Sequence, residues 1–140
     1  MGELGESAFK ILFTEEQIKN KIVEIGMQIT KDYKRENLTV IGILKGAFIF
    51  VADLIRQIHL PVAVDFIAVS SYGSATQSSG EVKIIKDLDI SVKGRNLLLV
   101  EDIVDTGLTL KYLLENLKSR DPASIKTCVL LDKPQARKVE

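Results

Sequence analysis

Asn96-Leu97-Leu98-Leu99-Val100-Glu101-Asp102-Ile103-Val104-Asp105-Thr106-Gly107-Leu108-Thr109-Leu110 is the stretch that decides how this chain folds. Leu97 to Val100 form an unbroken apolar run, the composition of a strand buried on both faces of a parallel sheet. Glu101 and Asp102 then set two carboxylates where that strand is expected to end. Asp105, Thr106, Gly107 and Thr109 follow as a short turn rich in hydroxyls. From Leu108 the period becomes helical, with Leu110, Leu113, Leu114 and Leu117 on one stripe. The order is therefore strand, acidic edge, tight turn and helix N-terminus. Ligands of open α/β sheets bind outside the carboxyl ends of the strands, and a helix N-terminus offers free N–H groups to a phosphate.

The acidic pair and the phosphate turn are compatible. A phosphate suits the turn's N–H groups, Leu108 included, and the hydroxyls of Thr106 and Thr109. The carboxylates of Glu101 and Asp102 suit sugar hydroxyls or a hydrated Mg²⁺, which takes few carboxylates and keeps water or substrate oxygens. Asp105, between the two, is placed to accept a proton. The plain alternative is that Asp102 or Asp105 only caps the following helix.

Outward from this stretch the pattern repeats. Thr14 and Gln17 match a capping box, and Ile18, Ile22, Ile25 and Ile29 recur at helical spacing, so a helix is expected over about 15–34. Residues 38–44 read as a buried strand ending at Lys45-Gly46. A helix over 47–58 follows, with Phe48, Val51, Ala52, Ile55 and Ile58 as its expected inner face. This is again strand, glycine turn and helix, now with a cation instead of the acidic pair. A second strand is expected over about 63–70. Residues 73–80 (Gly-Ser-Ala-Thr-Gln-Ser-Ser-Gly) carry no large apolar side chain and are expected to be mobile. Residues 81–85 alternate as the returning arm of a hairpin, and 87–95 cross into the central strand. The helix from Leu108 is expected to end near Ser119, and a last strand to run over 124–131. Residues 1–12 have weak periodicity and read as a loosely held lead-in.

Composition narrows the class. At 140 residues the chain is expected to be one domain, able to bury roughly two thirds of its unfolded surface. Nineteen basic residues balance nineteen acidic ones, so no overall field draws nucleic acid or an anionic membrane. Any anion site must be local. Cys128 is the single cysteine, within an apolar run, and reads as a buried inert thiol. With one His besides, His59, a zinc site is not expected. No run resembles a membrane span or a secretory h-region, so the expected compartment is the cytoplasm.

Val100 to Leu110 resembles the signature of type I phosphoribosyltransferases, and the likeness runs from about Phe13 to the last residue. Leu44-Lys45-Gly46, Ser70-Ser71-Tyr72-Gly73 and Lys133-Pro134-Gln135-Ala136-Arg137 narrow it to the hypoxanthine-guanine phosphoribosyltransferases of purine salvage. The resemblance implies an α/β fold, a mainly parallel twisted sheet flanked by helices with an antiparallel hairpin or lid extension. It implies transfer of a 5-phosphoribosyl group from phosphoribosyl pyrophosphate to hypoxanthine or guanine, giving IMP or GMP and pyrophosphate with Mg²⁺. In that family the turn matching Lys45-Gly46 belongs to the pyrophosphate site and often carries a cis peptide. The segment matching Ser71 and Tyr72 opens the lid, Lys133 matches the lysine at the purine 6-oxo group, and Arg137 matches an arginine that helps hold pyrophosphate. Asp105 is then the base for the purine proton. Asp105, Thr106, Gly107, Leu108 and Thr109 cradle the 5′-phosphate, and Glu101 and Asp102 orient ribose and Mg²⁺, the metal through water. A homo-oligomer, dimer or tetramer, is implied as well.

The family continues for a few tens of residues past the segment matching Lys133 to Arg137, supplying a base-binding hood. With its last residue at Glu140, the chain is expected to lack that hood and to turn over weakly. Two other readings stand beside the enzyme: a non-catalytic phosphoribosyl pyrophosphate-binding regulator, and a phospho-acceptor receiver domain. The receiver needs an acidic pair at the end of the first strand, where this chain has Leu44-Lys45-Gly46.

Overall fold

A computed structural model describes residues 13–71, 82–104 and 107–132. The expectations for 1–12, for 73–80, and for Tyr72, Asp105, Thr106, Lys133 and Arg137 lie outside these residues. The described elements are α1 (Glu15–Asp32), β1 (Leu38–Leu44), α2 (Phe48–Ile55), β2 (Val62–Ser71), β3 (Val82–Lys86), β4 (Asn96–Val104), α3 (Leu108–Lys118) and β5 (Ser124–Asp132).

Helix α1 starts where its capping box predicts. The Gln17 N–H donates to Thr14 Oγ1 at 3.1 Å, and the Thr14 N–H to Gln17 Oε1 at 2.8 Å. Its buried positions are Ile22, Gly26 and Ile29, and it ends at Asp32, two residues short of the expected end. Gly26 lets α1 close on the end of α2. A Cβ there would stand 2.7 Å from the Gln57 carbonyl oxygen, nearer than real Cβ atoms come.

The five strands form one sheet in the order β3-β2-β1-β4-β5. All neighbours are parallel except β2 and β3, the antiparallel hairpin. Alternation along the central strands sends side chains to two cores. Leu38, Val40, Leu98 and Val100 meet Ile22, Ile29, Phe50, Val51 and Leu54 of α1 and α2. Ile41, Ile43, Ile67, Leu97 and Leu99 meet Leu113 and Leu117 of α3 on the other side. The α/β architecture is the one the sequence predicts.

The inner face of α2 is a correction. The buried side chains are Ala47, Phe50, Val51, Leu54 and Ile58, whereas Phe48 is 54% exposed and Ala52 and Ile55 are only half-buried. Four successive apolar residues, Phe48 to Val51, leave the helical phase open in the sequence. The Lys45-Gly46 turn sets it instead, with the Val51 N–H donating to the Ala47 carbonyl at 2.8 Å.

Asp65 is the buried polar group the sequence reading passed over. It lies on β2 at 6% exposure and faces the α3 side. Its Oδ2 accepts from the N–H groups of Asp89 (2.8 Å) and Ile90 (3.1 Å), and its Oδ1 from the Phe66 N–H (2.7 Å). A buried carboxylate has to be satisfied, and here it clamps the segment after β3 onto β2. Asp65→Ala would leave two loop N–H groups without partners and remove a charged acceptor. Urea unfolding should show a loss of about 1–3 kcal/mol; an unchanged midpoint would mean the loop is held by other contacts.

Candidate active site

Parallel pairing brings four strand ends to one edge of the sheet: Leu44, Ser71, Val104 and Asp132. The sequence places its chemistry on that edge. Lys45 and Gly46 leave β1 as an exposed turn, and the peptide bond between Leu44 and Lys45 is cis. Ser71 closes β2, paired with Val82.

The central strand runs further than expected. Pairing of β4 with β1 stops at Gly42 opposite Val100, just before the acidic pair. Pairing with β5 continues to Val104 opposite Asp132. Glu101 and Asp102 are therefore strand residues with one side freed. The end of the apolar run marks where β1 leaves the ladder, not where β4 stops.

Because successive strand residues alternate, the two carboxylates address different faces. Asp102 lies against the β1 turn: a Cβ on Gly46 would sit 3.2 Å from both of its carboxylate oxygens. Its Oδ1 also accepts from the Ile103 N–H at 2.8 Å. A side chain at that position would crowd the carboxylate and force it to give by a few tenths of an ångström, which favours glycine after Lys45. Glu101 shares its parity with Leu97 and Leu99 and accepts the Asp102 N–H at 3.0 Å. Burial, and then its contact with Asp102, pushes the Glu101 carboxyl up to about 8.

Helix α3 begins beyond the two undescribed residues. Gly107 is its N-cap at φ 85°, a left-handed conformation that suits glycine. It offers no side-chain cap, and the first backbone bond of the helix runs from the Lys111 N–H to the Gly107 carbonyl (3.0 Å). Leu108 and Thr109 are half-buried beside it. The structure thus brings Gly46 and Asp102 together directly, with Lys45 beside them in the same turn. It puts Glu101, Gly107, Leu108 and Thr109 on the same edge.

The donor set fits a hydrated divalent cation. Among the described residues no cluster of three or more His, Cys, Asp or Glu could hold an ion by itself. Asp102 with Glu101 beside it suits Mg²⁺ that completes its shell with water and substrate oxygens, and a bound cation would favour the ionised form of Glu101 against the burial that raises it.

Cys128 stands apart from this chemistry. It is half-buried on β5, and burial pushes its thiol up to about 11 from an ordinary 9.0. A raised thiol carries less thiolate at any pH below both values. At pH 8 its alkylation by iodoacetamide should therefore be roughly 100-fold slower in the folded chain than in urea. Equal rates would expose it as a reactive group.

With this geometry in view, the relatives are informative. A family model for the phosphoribosyl transferase domain matches residues 10–140. The hypoxanthine-guanine phosphoribosyltransferase of Dictyostelium discoideum is 51% identical over 135 residues, covering 94% of this chain and 75% of that protein. The crystal structure of a Staphylococcus aureus hypoxanthine phosphoribosyltransferase superposes with a TM-score of 0.91 at 45% identity, over 99% of this chain and 75% of the other. The Trypanosoma cruzi hypoxanthine phosphoribosyltransferase, solved in complex with the product IMP, gives 0.84 at 47% identity over 94% of this chain and 74% of the other. None of these favours the regulator or the receiver reading, and β1 ends in Leu44-Lys45-Gly46 without the acidic pair a receiver needs. Strand order, turn chemistry and relatives agree: the chain belongs to the phosphoribosyltransferase domain family, on its hypoxanthine-guanine branch.

Proposed function

We propose that this chain is a single phosphoribosyltransferase core that moves the 5-phosphoribosyl group of phosphoribosyl pyrophosphate onto N9 of hypoxanthine or guanine. The products are IMP or GMP and pyrophosphate, and the setting is purine salvage in the cytoplasm, by a homo-oligomer. No helix among the described residues is long and apolar enough to cross a membrane. The observation that supports the reading is the approach of Gly46 to the Asp102 carboxylate, which sets the turn after β1 against the carboxyl end of β4.

Each residue then has a distinct task. Asp105, Thr106, Gly107, Leu108 and Thr109 hold the 5′-phosphate through N–H groups and hydroxyls at the start of α3. Lys45 and Gly46, with Arg137, hold the pyrophosphate. Glu101 and Asp102 orient the ribose hydroxyls and would hold Mg²⁺ through water; when bound, the ion supplies charge neutralisation to the leaving pyrophosphate. Lys133 meets the purine 6-oxo group, and Ser71 and Tyr72 begin the lid. In the transfer the C1′–O bond to pyrophosphate breaks, the C1′–N9 bond forms, and the purine ring proton passes to the Asp105 carboxylate. Positive charge grows on the sugar in the transition state, so fixed negative groups and alignment carry the catalysis.

Asp105→Asn keeps the size of the side chain and removes the base. Calorimetric affinity for phosphoribosyl pyrophosphate with Mg²⁺ should largely survive, while single-turnover formation of IMP slows by roughly 10²–10⁴. Equal rates in the two forms would take Asp105 out of the mechanism.

A further inference from the structure

Helix α3 carries the phosphate turn at its N-terminus, yet Gly107 gives that end no side-chain cap. Leu113 and Leu117, with half-buried Leu110, Tyr112 and Leu114, pack α3 on the sheet core, and a network of side-chain hydrogen bonds holds its C-terminal end. There Arg120 donates from Nε (3.1 Å) and Nη2 (2.8 Å) to Asn116 Oδ1, which locks the guanidinium to the last turn. The same guanidinium makes a two-pronged bond to Asp87, Nη1 to Oδ1 at 2.9 Å and Nη2 to Oδ2 at 3.1 Å. Asp87 is itself held. Lys86 Nζ donates to the carbonyls of Phe66 and Asp87 (both 3.0 Å), and two residues on, the N–H groups of Asp89 and Ile90 end on the buried Asp65 of β2. A continuous line of hydrogen bonds therefore runs from the sheet, through the 87–90 segment, to the end of α3.

We infer that Arg120 is a positioning residue for the transfer reaction, aligning the phosphate turn by fixing the far end of α3 to the Asp65-anchored segment after β3. The inference rests on the proposed function. At 1.5 Å per residue the 11-residue helix is a lever of about 16 Å, so a tilt of about 4° at Arg120 moves the phosphate turn by about 1 Å. A misplacement of that size far from the chemistry is enough to lower rates by up to about 10²-fold. The Arg120–Asp87 pair is half-exposed and adds little to global stability; its effect is on geometry. No feature of α3's amphipathic pattern announces this, because Arg120 lies past the helix.

Ribose 5-phosphate and inorganic pyrophosphate separate alignment from folding, since the first needs the turn at Gly107 and the second the turn at Lys45-Gly46. Isothermal titration with Mg²⁺ should show Arg120→Ala binding ribose 5-phosphate about tenfold more weakly while pyrophosphate affinity stays unchanged. The exchanged pair, Asp87→Arg with Arg120→Asp, should recover most of the loss. Equal weakening of both ligands, or of neither, overturns the inference. If the unsubstituted chain binds neither ligand, the proposed function fails instead. The inference is then read from amide exchange. Faster exchange of the Lys111 N–H in Arg120→Ala, with that of β1 unchanged, upholds it. An unchanged Lys111 rate overturns it.

Discussion

The parallel pairing of β1 with β4 at the centre of the sheet is the constraint on which the rest depends. Parallel strands need crossovers, and each crossover returns the chain so that both strands end on the same edge. Leu38 to Gly42 lie opposite Asn96 to Val100, and the carboxyl ends of the two strands are thereby neighbours although more than fifty residues separate them in sequence. The contact between Gly46 and the Asp102 carboxylate is the local expression of that pairing. A shift of one residue would send Asp102 to the other face, against α3, and dissolve the site.

The pairing is held by burial on both sides. Val40, Leu98 and Val100 are sealed by α1 and α2, and Ile41, Leu97 and Leu99 by α3. These residues are among the least exposed in the molecule, which leaves the strand ends free to carry polar groups that would be costly inside. The proposed site sits where the two cores stop. Asp65 is a charged group kept within the core because it accepts three backbone N–H groups.

Much of this was legible in the sequence, for identifiable reasons. Thr14 and Gln17 read directly as a cap because the signal is local and the interaction is local. The strands β1 and β4 read as buried because every residue of their central runs is apolar, and the strand-turn-helix pattern located Lys45, Gly46, Glu101, Asp102, Gly107 and Thr109 on one edge. What could not be read depends on partners far away in the chain. The phase of α2 follows from the turn before it. The length of β4 follows from pairing with β5 after β1 has left. The roles of Asp65 and Arg120 follow from a loop that each meets only in the folded state. Asp65 carried a usable sign, a carboxylate in a run of apolar residues; Arg120 carried none.

The central claim is that the edge shared by the β1 and β4 turns is where the phosphoribosyl donor binds. The most direct measurement is a titration of the ¹⁵N-labelled chain with phosphoribosyl pyrophosphate and Mg²⁺, followed by amide chemical shifts. Perturbations concentrated at Lys45, Gly46, Asp102, Gly107 and Thr109, with Lys126 and Cys128 at the side of the sheet unmoved, are the predicted result. Shifts centred on α1 and β5 with the two turns silent would contradict the account.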